Sequence, residues 1–223
     1  DFRENFSKRK GDVYEFGVYR GSSLIAIALL AKRLGSDKHF WGFDTFCGFP
    51  KFSRQDNLNN FNEEYGFSKE NIEESKLLAK IKLSQNYLKE KKLDDSLSKL
   101  GKSGLFKDTS YELLLEKIDR LSLSNITLIK GDFKDTVKNH FKGKRNVFSA
   151  NIDCDLYEGY KICLPLIFEN LEYGGFIHLD EYYSLKYPGA KIATDEFLKQ
   201  NKKAILKKNS TRNTEFDRFF ITK

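Results

Sequence analysis

Apolar residues in this sequence are grouped into short runs that alternate with longer stretches of helical spacing. Val13–Phe16 is a β-rich run that ends in a glycine turn, and Ser22–Leu34 has the composition and length of a helix. Ser22 or Ser23 is a suitable cap for that helix. His39–Phe43 is a second strand-like run. The order strand, turn, helix and strand predicts a parallel sheet with a right-handed crossover.

The same alternation resumes after residue 108. Helices are predicted at Tyr111–Leu121, Lys134–Phe141, Tyr157–Leu171 and Ala190–Gln200. Strands are predicted at Ile126–Lys130, Val147–Ile152, Gly175–Leu179, Ala204–Lys207 and Phe216–Ile221, the last two as a hairpin-like pair. Together these elements predict a doubly wound, Rossmann-like α/β fold of about seven strands, mostly parallel, with the last strand antiparallel.

One long connection interrupts this alternation. Residues 47–108 contain no clear strand, and only Glu70–Lys92 has helical character. A connection of this length is usually functional, so we predict an inserted lid or interaction segment within a single domain that covers residues 1–223. A disordered excursion is the alternative. It is disfavoured by the aromatic residues of this part of the chain, namely Phe46, Phe49, Phe52, Phe61, Tyr65 and Phe67.

Composition narrows the class of protein. Hydrophobic residues make up 39% of the chain and charged residues 32%, which is typical of a soluble globular protein. No apolar run is long enough to span a membrane. The net charge of +7 is spread over lysines along the whole sequence, which favours a solvated surface over nucleic-acid binding and leaves a phosphate-bearing small substrate open. The three cysteines include no CxxC pair, which indicates a reducing, cytoplasmic location.

Acidic residues follow the predicted strands. Ligands of open α/β sheets bind at the carboxyl ends of the strands, and here each of the first five predicted strands carries a carboxylate at or just after its end. These acids are Glu15, Asp44, Asp132, Asp153 with Asp155, and Asp180 with Glu181. One acid in a loop is weak evidence, but acids at five successive strand ends indicate a functional site.

The first turn has the features of a cofactor site. Gly17 and Gly21 let the backbone approach a ligand, and the helix behind them directs its N–H groups toward it. The spacing lacks the GxGxxG pattern of a dinucleotide site, so a ligand without pyrophosphate is favoured. Asp44 is placed to accept hydrogen bonds from a ribose, and Asp132 and Phe133 to bind an adenine. S-adenosylmethionine fits this description, whereas a purely structural turn and a core role for Phe133 are the alternatives.

The paired acids of two later strands suggest a metal. Asp153 and Asp155 lie two positions apart, so they face the same side if the chain stays extended. Asp180 and Glu181 end the neighbouring strand. Four carboxylates in one crevice repel each other unless a cation is present, and oxygen ligands favour a hard ion such as Mg²⁺. Alternatively, one or two of these acids cap helices, Asp155 first among them.

These motifs resemble the macrocin O-methyltransferase family. They are, in chain order, EFGVYRGSS, GFDTFCGFP, KGDFKDT, NIDCDLYEGY and GGFIHLDEYY. The family consists of bacterial sugar O-methyltransferases with a class I methyltransferase fold. The resemblance therefore implies S-adenosylmethionine as the methyl donor, a Mg²⁺ requirement, an acceptor that is a sugar, nucleotide sugar or glycan, and often a homo-oligomer.

The resemblance also implies a role for each matching residue. The cofactor would be bound by residues of the first three strand ends, namely Glu15, Gly17, Tyr19, Gly21, Ser22, Asp44, Thr45, Asp132 and Phe133. The metal ligands would be Asp153, Asp180 and Glu181, and the general base would be Asp155. The family usually has aspartate where this chain has Glu181, and a longer side chain there changes the position of the ion.

Other functions are compatible with parts of this pattern. A metal-dependent methyltransferase of catechols or other phenols would share the cofactor and metal sites, and only its acceptor pocket would differ. A non-catalytic protein that binds an adenosine ligand is disfavoured by the intact acids at both metal strands. A nicotinamide oxidoreductase is disfavoured by the missing GxGxxG motif.

Overall fold

Seven strands of the described residues form one sheet, with helices on both of its faces. The structure is a computed structural model that describes residues 6, 9–56, 106–182, 188–209 and 218–223. The strands are β1 (Asp12–Phe16), β2 (Phe40–Asp44), β3 (Ile126–Lys130), β4 (Val147–Ile152), β5 (Leu171–Leu179), β6 (Ile205–Asn209) and β7 (Arg218–Thr222). The helices are α1 (Ser22–Arg33), α2 (Tyr111–Arg120), α3 (Phe133–His140), α4 (Tyr157–Asn170) and α5 (Pro188–Gln200), with a 3-10 turn at Arg54–Asp56.

The strand order is β3-β2-β1-β4-β5-β7-β6. Strands β1 to β5 pair in parallel, and β7 lies antiparallel between β5 and β6. The chain moves outward from β1 to β3 and then returns to β4 beside β1, so the strand order reverses between β1 and β4. The carboxyl ends at such a reversal form the crevice in which α/β proteins bind their ligands. The predicted fold, including the antiparallel last strand, is confirmed.

Two hydrophobic layers cover the sheet. Helices α1 and α2 pack on one face through residues such as Leu24 and Leu114. Helices α3, α4 and α5 pack on the other face, with Leu164 fully buried there. Successive strand residues point to opposite faces, so β1 sends Val13 into the first layer and Tyr14 into the second. The sheet is therefore doubly wound, and its carboxyl edge stays open between the layers.

The start of α1 differs from the prediction. The helix begins at Ser22, but its cap is Gly21, which has a left-handed φ of 77° and offers no side-chain hydrogen bond. The predicted serine cap was wrong, because the Ser23 hydroxyl donates to the buried carboxylate of Glu15 instead. The first turn of α1 is thus left without a capping side chain at the sheet edge where ligands bind.

Two later boundaries also differ. Strand β5 begins at Leu171, earlier than the predicted Gly175, because α4 ends at Asn170 and the chain enters the sheet at once. Helix α3 begins at Phe133, one residue before the prediction, since the side chain of Asp132 accepts a hydrogen bond from the backbone N–H of Lys134 and caps it.

The inserted segment is described only at its two ends, residues 47–56 and 106–108. The predicted helical stretch Glu70–Lys92 lies outside the described residues, and so do the first two residues of the strand predicted at Phe216–Ile221. Within the described ranges, no helix is both long and apolar enough to cross a membrane.

Candidate active site

A cavity of about 490 Å³ opens at the carboxyl edge of the sheet. It is lined by the loops after β1, β2, β3, β4 and β5, which is where the acidic strand ends predicted it. Ten of the predicted site residues line it, namely Gly17, Tyr19, Ser22, Asp44, Thr45, Asp132, Phe133, Asp153, Asp155 and Glu181. The other three predicted site residues, Glu15, Gly21 and Asp180, are not part of the lining.

The glycine turn after β1 is held by Asp44. One carboxylate oxygen, Oδ2, accepts hydrogen bonds from the backbone N–H groups of Val18 and Tyr19, each at 2.8 Å. The other, Oδ1, accepts from the N–H of Phe46 at 2.7 Å. The Thr45 hydroxyl lies 3.5 Å from Oδ1 but bonds more closely to the carbonyl of Gly48, at 2.9 Å. A carboxylate has about four lone-pair sites, so Asp44 both fixes this turn and keeps one acceptor site on Oδ1. The sequence did not reveal the first of these two tasks.

Gly17 brings the first strand end against the acid loop after β4. Its φ is 94°, and a Cβ built on it would lie 2.6 Å from the carbonyl carbon of Asp153, too close for any real side chain. Its N–H donates to Phe43 of β2, and Asp153 in turn donates its N–H to Phe16. The glycine turn after β1 and the acid loop after β4 are therefore in direct backbone contact.

Asp132 and Phe133 line the cavity at the start of α3. Asp132 accepts from Lys134 at 2.8 Å as the helix cap. The ring of Phe133 stands edge-on to that of Phe16, with centroids 6.1 Å apart, and also lines the cavity. The ring of Phe133 therefore packs in the core and also lines the cavity, so both predicted roles are compatible with its position.

Glu15 is buried beneath the glycine turn. Its Oε1 accepts from Ser23 and, at 3.2 Å, from the side-chain amide of Asn151. Among the described residues its Oε2 has no hydrogen-bond partner. Burial, the largest effect, raises the pKa of Glu15 to about 7. This carboxyl group therefore carries a proton more readily than an exposed glutamate does.

The raised pKa of Glu15 predicts a specific pH dependence of stability. Because the folded pKa exceeds that of the unfolded chain, this residue stabilises the fold fully below pH 4.5, and the contribution is lost as the pH rises through about 7. Glu15→Gln cannot ionise. The difference in free energy of unfolding between Glu15→Gln and wild type, measured by urea denaturation, is expected to increase in favour of the variant by roughly 3 kcal/mol from pH 4.5 to pH 8.

The matched control is Glu169→Gln, which removes an exposed glutamate from α4. It should reproduce the pH profile of the wild-type protein. A Glu15→Gln profile that runs parallel to wild type would show that Glu15 does not titrate over this range in the folded state.

Three acids from β4 and β5 converge beside the cavity. Burial first, and then the negative charges of Asp180, Glu15 and Glu181, raise the pKa of Asp153 to about 8. On the outer side, Arg218 of β7 donates from Nη1 to Oδ1 of Asp180 at 3.0 Å. Within the described part of the chain, no three His, Cys, Asp or Glu side chains are placed to hold a metal ion as they stand.

Asp155 lines the cavity in a left-handed backbone conformation. Its φ is 60° and the residue is 8% exposed. The interpretation of Asp155 as a helix cap is not supported, because α4 is capped at Leu156 without a side-chain hydrogen bond. Tyr19 and Phe106, two other cavity residues, also have positive φ. Backbone strain of this kind costs of order 1 kcal/mol or more and tends to cluster at functional sites.

Sequence reasoning missed two carboxylates that tie the insertion to the site. Asp108 accepts from the Tyr19 hydroxyl at 2.8 Å and pairs with the guanidinium of Arg20. Asp56 accepts from the backbone N–H of Tyr157, the first residue of α4, at 2.7 Å. Neither acid follows a strand, so the rule that located the other site residues could not find them.

Comparisons with known proteins agree with this geometry. The chain matches the macrocin O-methyltransferase (TylF) family over residues 5–124 and 116–207. No curated protein matches it. Among solved structures, the calicheamicin methyltransferase CalS11 has a TM-score of 0.66 at 21% identity, covering 97% of this chain and 74% of that chain.

Two further solved structures are similar. The O-methyltransferase NovP has a TM-score of 0.64 at 19% identity, covering 100% of this chain and 74% of that chain. An apo structure of CalS11, described as a TDP-rhamnose 3'-O-methyltransferase of calicheamicin biosynthesis, has a TM-score of 0.58 at 20% identity, covering 94% and 71%. At these identities the likeness concerns the fold, whereas the family match spans most of the chain. The chain therefore belongs to the macrocin O-methyltransferase family and is an S-adenosylmethionine-dependent O-methyltransferase.

Proposed function

We propose that this enzyme methylates a hydroxyl group of a sugar, nucleotide sugar or glycan, with a divalent cation such as Mg²⁺ beside the acceptor. The observation that carries the proposal is the meeting of two sets of residues in one cavity. The glycine turn and Asp44 form one wall, and Asp153, Asp155 and Glu181 form the wall that adjoins it. A methyl donor on the first wall would face an acid-bound acceptor on the second.

The first wall suits the donor. The uncapped N-terminus of α1, with Ser22 at the cavity, favours a carboxylate such as that of the methionine moiety. Asp44 would accept a ribose hydroxyl on its remaining lone pair, and Asp132 and Phe133 would bind the adenine. Glu15 would not touch the donor but would fix the position of Ser23, whose hydroxyl donates to it.

The second wall fits a hard cation by its chemistry. Asp153, Asp180 and Glu181 supply only oxygen donors, which is what Mg²⁺ prefers. Burial and, after it, the negative charges around Asp153 raise the pKa of that residue. A cation would relieve this repulsion. When bound there, it would lower the pKa of the acceptor hydroxyl.

Asp155 would accept the proton of that hydroxyl. The resulting oxygen would attack the methyl carbon as its bond to sulfur breaks, which leaves a methyl ether and S-adenosylhomocysteine (SAH). Orientation and exclusion of water contribute much of the rate in such a transfer. The wall of Phe49 and Phe106, whose ring centroids are 4.9 Å apart, is placed to exclude water.

Six acidic and three basic side chains line the cavity, and the three bases are available to phosphate groups of an acceptor. Lys51 and Lys134 line it, and Arg20 does so while paired with Asp108. The neighbour CalS11 is described as a TDP-rhamnose methyltransferase. We therefore place nucleotide sugars first among the candidate acceptors. A cytoplasmic location agrees with the three free cysteines, and a homo-oligomer stays a prediction.

The test is methyl transfer from isotopically labelled S-adenosylmethionine to TDP-rhamnose, free rhamnose and catechol, with products identified by mass spectrometry. Methylation of TDP-rhamnose in preference to free rhamnose supports the proposal. Methylation of catechol alone would assign the enzyme to phenolic acceptors instead.

Removal of divalent metal is expected to reduce methyl transfer to the most active acceptor by at least about a hundredfold. Treatment with EDTA followed by gel filtration, and then re-addition of Mg²⁺, should abolish and restore activity. The affinity for SAH, measured by calorimetry, should change little, because the acids do not belong to the donor wall. Activity that is indifferent to chelation would refute the metal proposal while leaving the sugar acceptor intact.

A further inference from the structure

Asp56 is a buried carboxylate outside the cavity lining, at the start of the inserted segment. It is 8% exposed and belongs to the 3-10 turn Arg54–Asp56. Its Oδ1 accepts from the backbone N–H of Tyr157 at 2.7 Å. Its Oδ2 accepts from both the N–H and the hydroxyl of Ser53, at 2.8 and 2.7 Å. Both oxygens are therefore used as acceptors, each in a fixed direction.

These contacts lie where the two acid-bearing loops enter their helices. Tyr157 opens α4, two residues after Asp155. Gly189 is the second residue of α5, which follows the loop that begins at Asp180 and Glu181. A Cβ on Gly189 would overlap Oδ1 of Asp56 and lie 2.7 Å from the Cβ of Tyr157. Asp56 is thus packed between the first turns of both helices.

The same segment also forms part of the cavity. Gly48, Phe49, Pro50 and Lys51 line the cavity and come five to eight residues before Asp56. The carboxylate therefore connects a cavity wall with the helices that follow both acid pairs. A hydrophobic residue could fill the space, but it could not accept hydrogen bonds from two separate parts of the chain.

We propose that Asp56 is a positioning residue that fixes the acid loop after β4 relative to the part of the insertion that lines the cavity. The inference rests on the proposed function, because the positioned groups are the proposed base Asp155 and the proposed metal ligand Asp153. Asp56 itself touches neither donor nor acceptor.

Asp56→Asn tests this role because it preserves the shape of the side chain. The amide has one acceptor oxygen, so its NH₂ group must face either the Tyr157 N–H or the Ser53 donors. The variant should bind SAH within about twofold of wild type, since the donor wall is held by other bonds. Its kcat for TDP-rhamnose should fall by about tenfold or more, as expected when reacting groups are displaced by a fraction of an ångström.

Mn²⁺ binding, followed by electron paramagnetic resonance, provides a readout that needs no acceptor. Asp56→Asn should weaken Mn²⁺ binding by about fivefold or more, because metal sites require their ligands at fixed spacing. Ser53→Ala removes one hydrogen bond but leaves the bond to Tyr157, so it should show a smaller loss. Asp119→Asn, the same exchange at an exposed position of α2, should behave as wild type. All assays are run well below the melting temperature of the weakest variant.

The outcomes separate this inference from the proposed function. Wild-type kcat and Mn²⁺ affinity in Asp56→Asn would overturn the positioning role and leave the proposed function standing. Weakened Mn²⁺ binding in the variant, together with a wild-type enzyme that methylates no sugar, would support the positioning role and remove the sugar acceptor. If the wild-type enzyme neither binds Mn²⁺ nor methylates any acceptor, the proposed metal site and this inference both fail.

Discussion

Asp155→Asn is expected to lower the methyl-transfer kcat by at least about a hundredfold, the range typical of a lost general base. Asp155 is nearly buried, lines the cavity and has a left-handed backbone, with φ at 60°. Asparagine adopts this conformation almost as readily as aspartate does, so the loop should keep its shape. The amide cannot accept the proton of the acceptor hydroxyl, and only the chemical step should suffer.

The measurement is single-turnover methyl transfer, combined with calorimetry of SAH binding. The affinity for SAH should stay within about twofold of wild type, because Asp155 is not among the residues proposed to bind the donor. Asp37→Asn is the matched control, since Asp37 is exposed in the loop before β2, at the amino edge of the sheet. If the kcat of Asp155→Asn stays within a few-fold of wild type, Asp155 is not the general base and another group takes the proton.

Gly17→Ala is expected to weaken SAH binding by about tenfold or more and to lower the melting temperature by several degrees. Two effects add. At a φ of 94° an L-residue is strained, which costs about 1–2 kcal/mol. In addition, the new methyl group would lie 2.6 Å from the carbonyl carbon of Asp153. The glycine turn and the acid loop would have to separate, and both walls of the cavity would move.

Two other glycines separate these effects. Gly35 has a φ of 65°, but a Cβ at this residue would meet no atom within 4 Å, so Gly35→Ala reports backbone strain alone. Gly143 has open space as well and no positive φ, so Gly143→Ala should be almost neutral. A Gly17→Ala variant that is no worse than Gly35→Ala would show that the close approach to Asp153 is unimportant.

The sequence predicted the parts of the site that follow from the sheet. Parallel strands bring their carboxyl ends to one edge of the sheet. The acids at or just after the ends of β1, β2, β4 and β5 therefore had to lie near each other, whatever the packing of the helices. Glu15, Asp44, Asp153 and Glu181 are indeed close to one cavity. The order of strands and helices was equally accessible, since hydrophobic periodicity in this chain is clear outside the insertion.

The remaining features depend on contacts between distant parts of the chain. Asp56 and Tyr157 are 101 positions apart, and no local pattern links an acid in the insertion to the start of a later helix. The cap of α1 failed for a similar reason. Ser23 has the right residue type for a cap, but the buried oxygen of Glu15 takes its hydroxyl. In both cases the contact is made by a buried carboxylate that needs hydrogen-bond donors.

The position of β7 has a consequence for how the protein is made. Strand β6 precedes β7 in the chain, yet β7 lies between β6 and β5, and within the described sheet β6 bonds only to β7. During synthesis β6 leaves the ribosome before β7, so it remains an unpaired strand until residues 218–222 have also been made. Its Lys207 and Lys208, both exposed, would keep this waiting strand from pairing with neighbouring nascent chains.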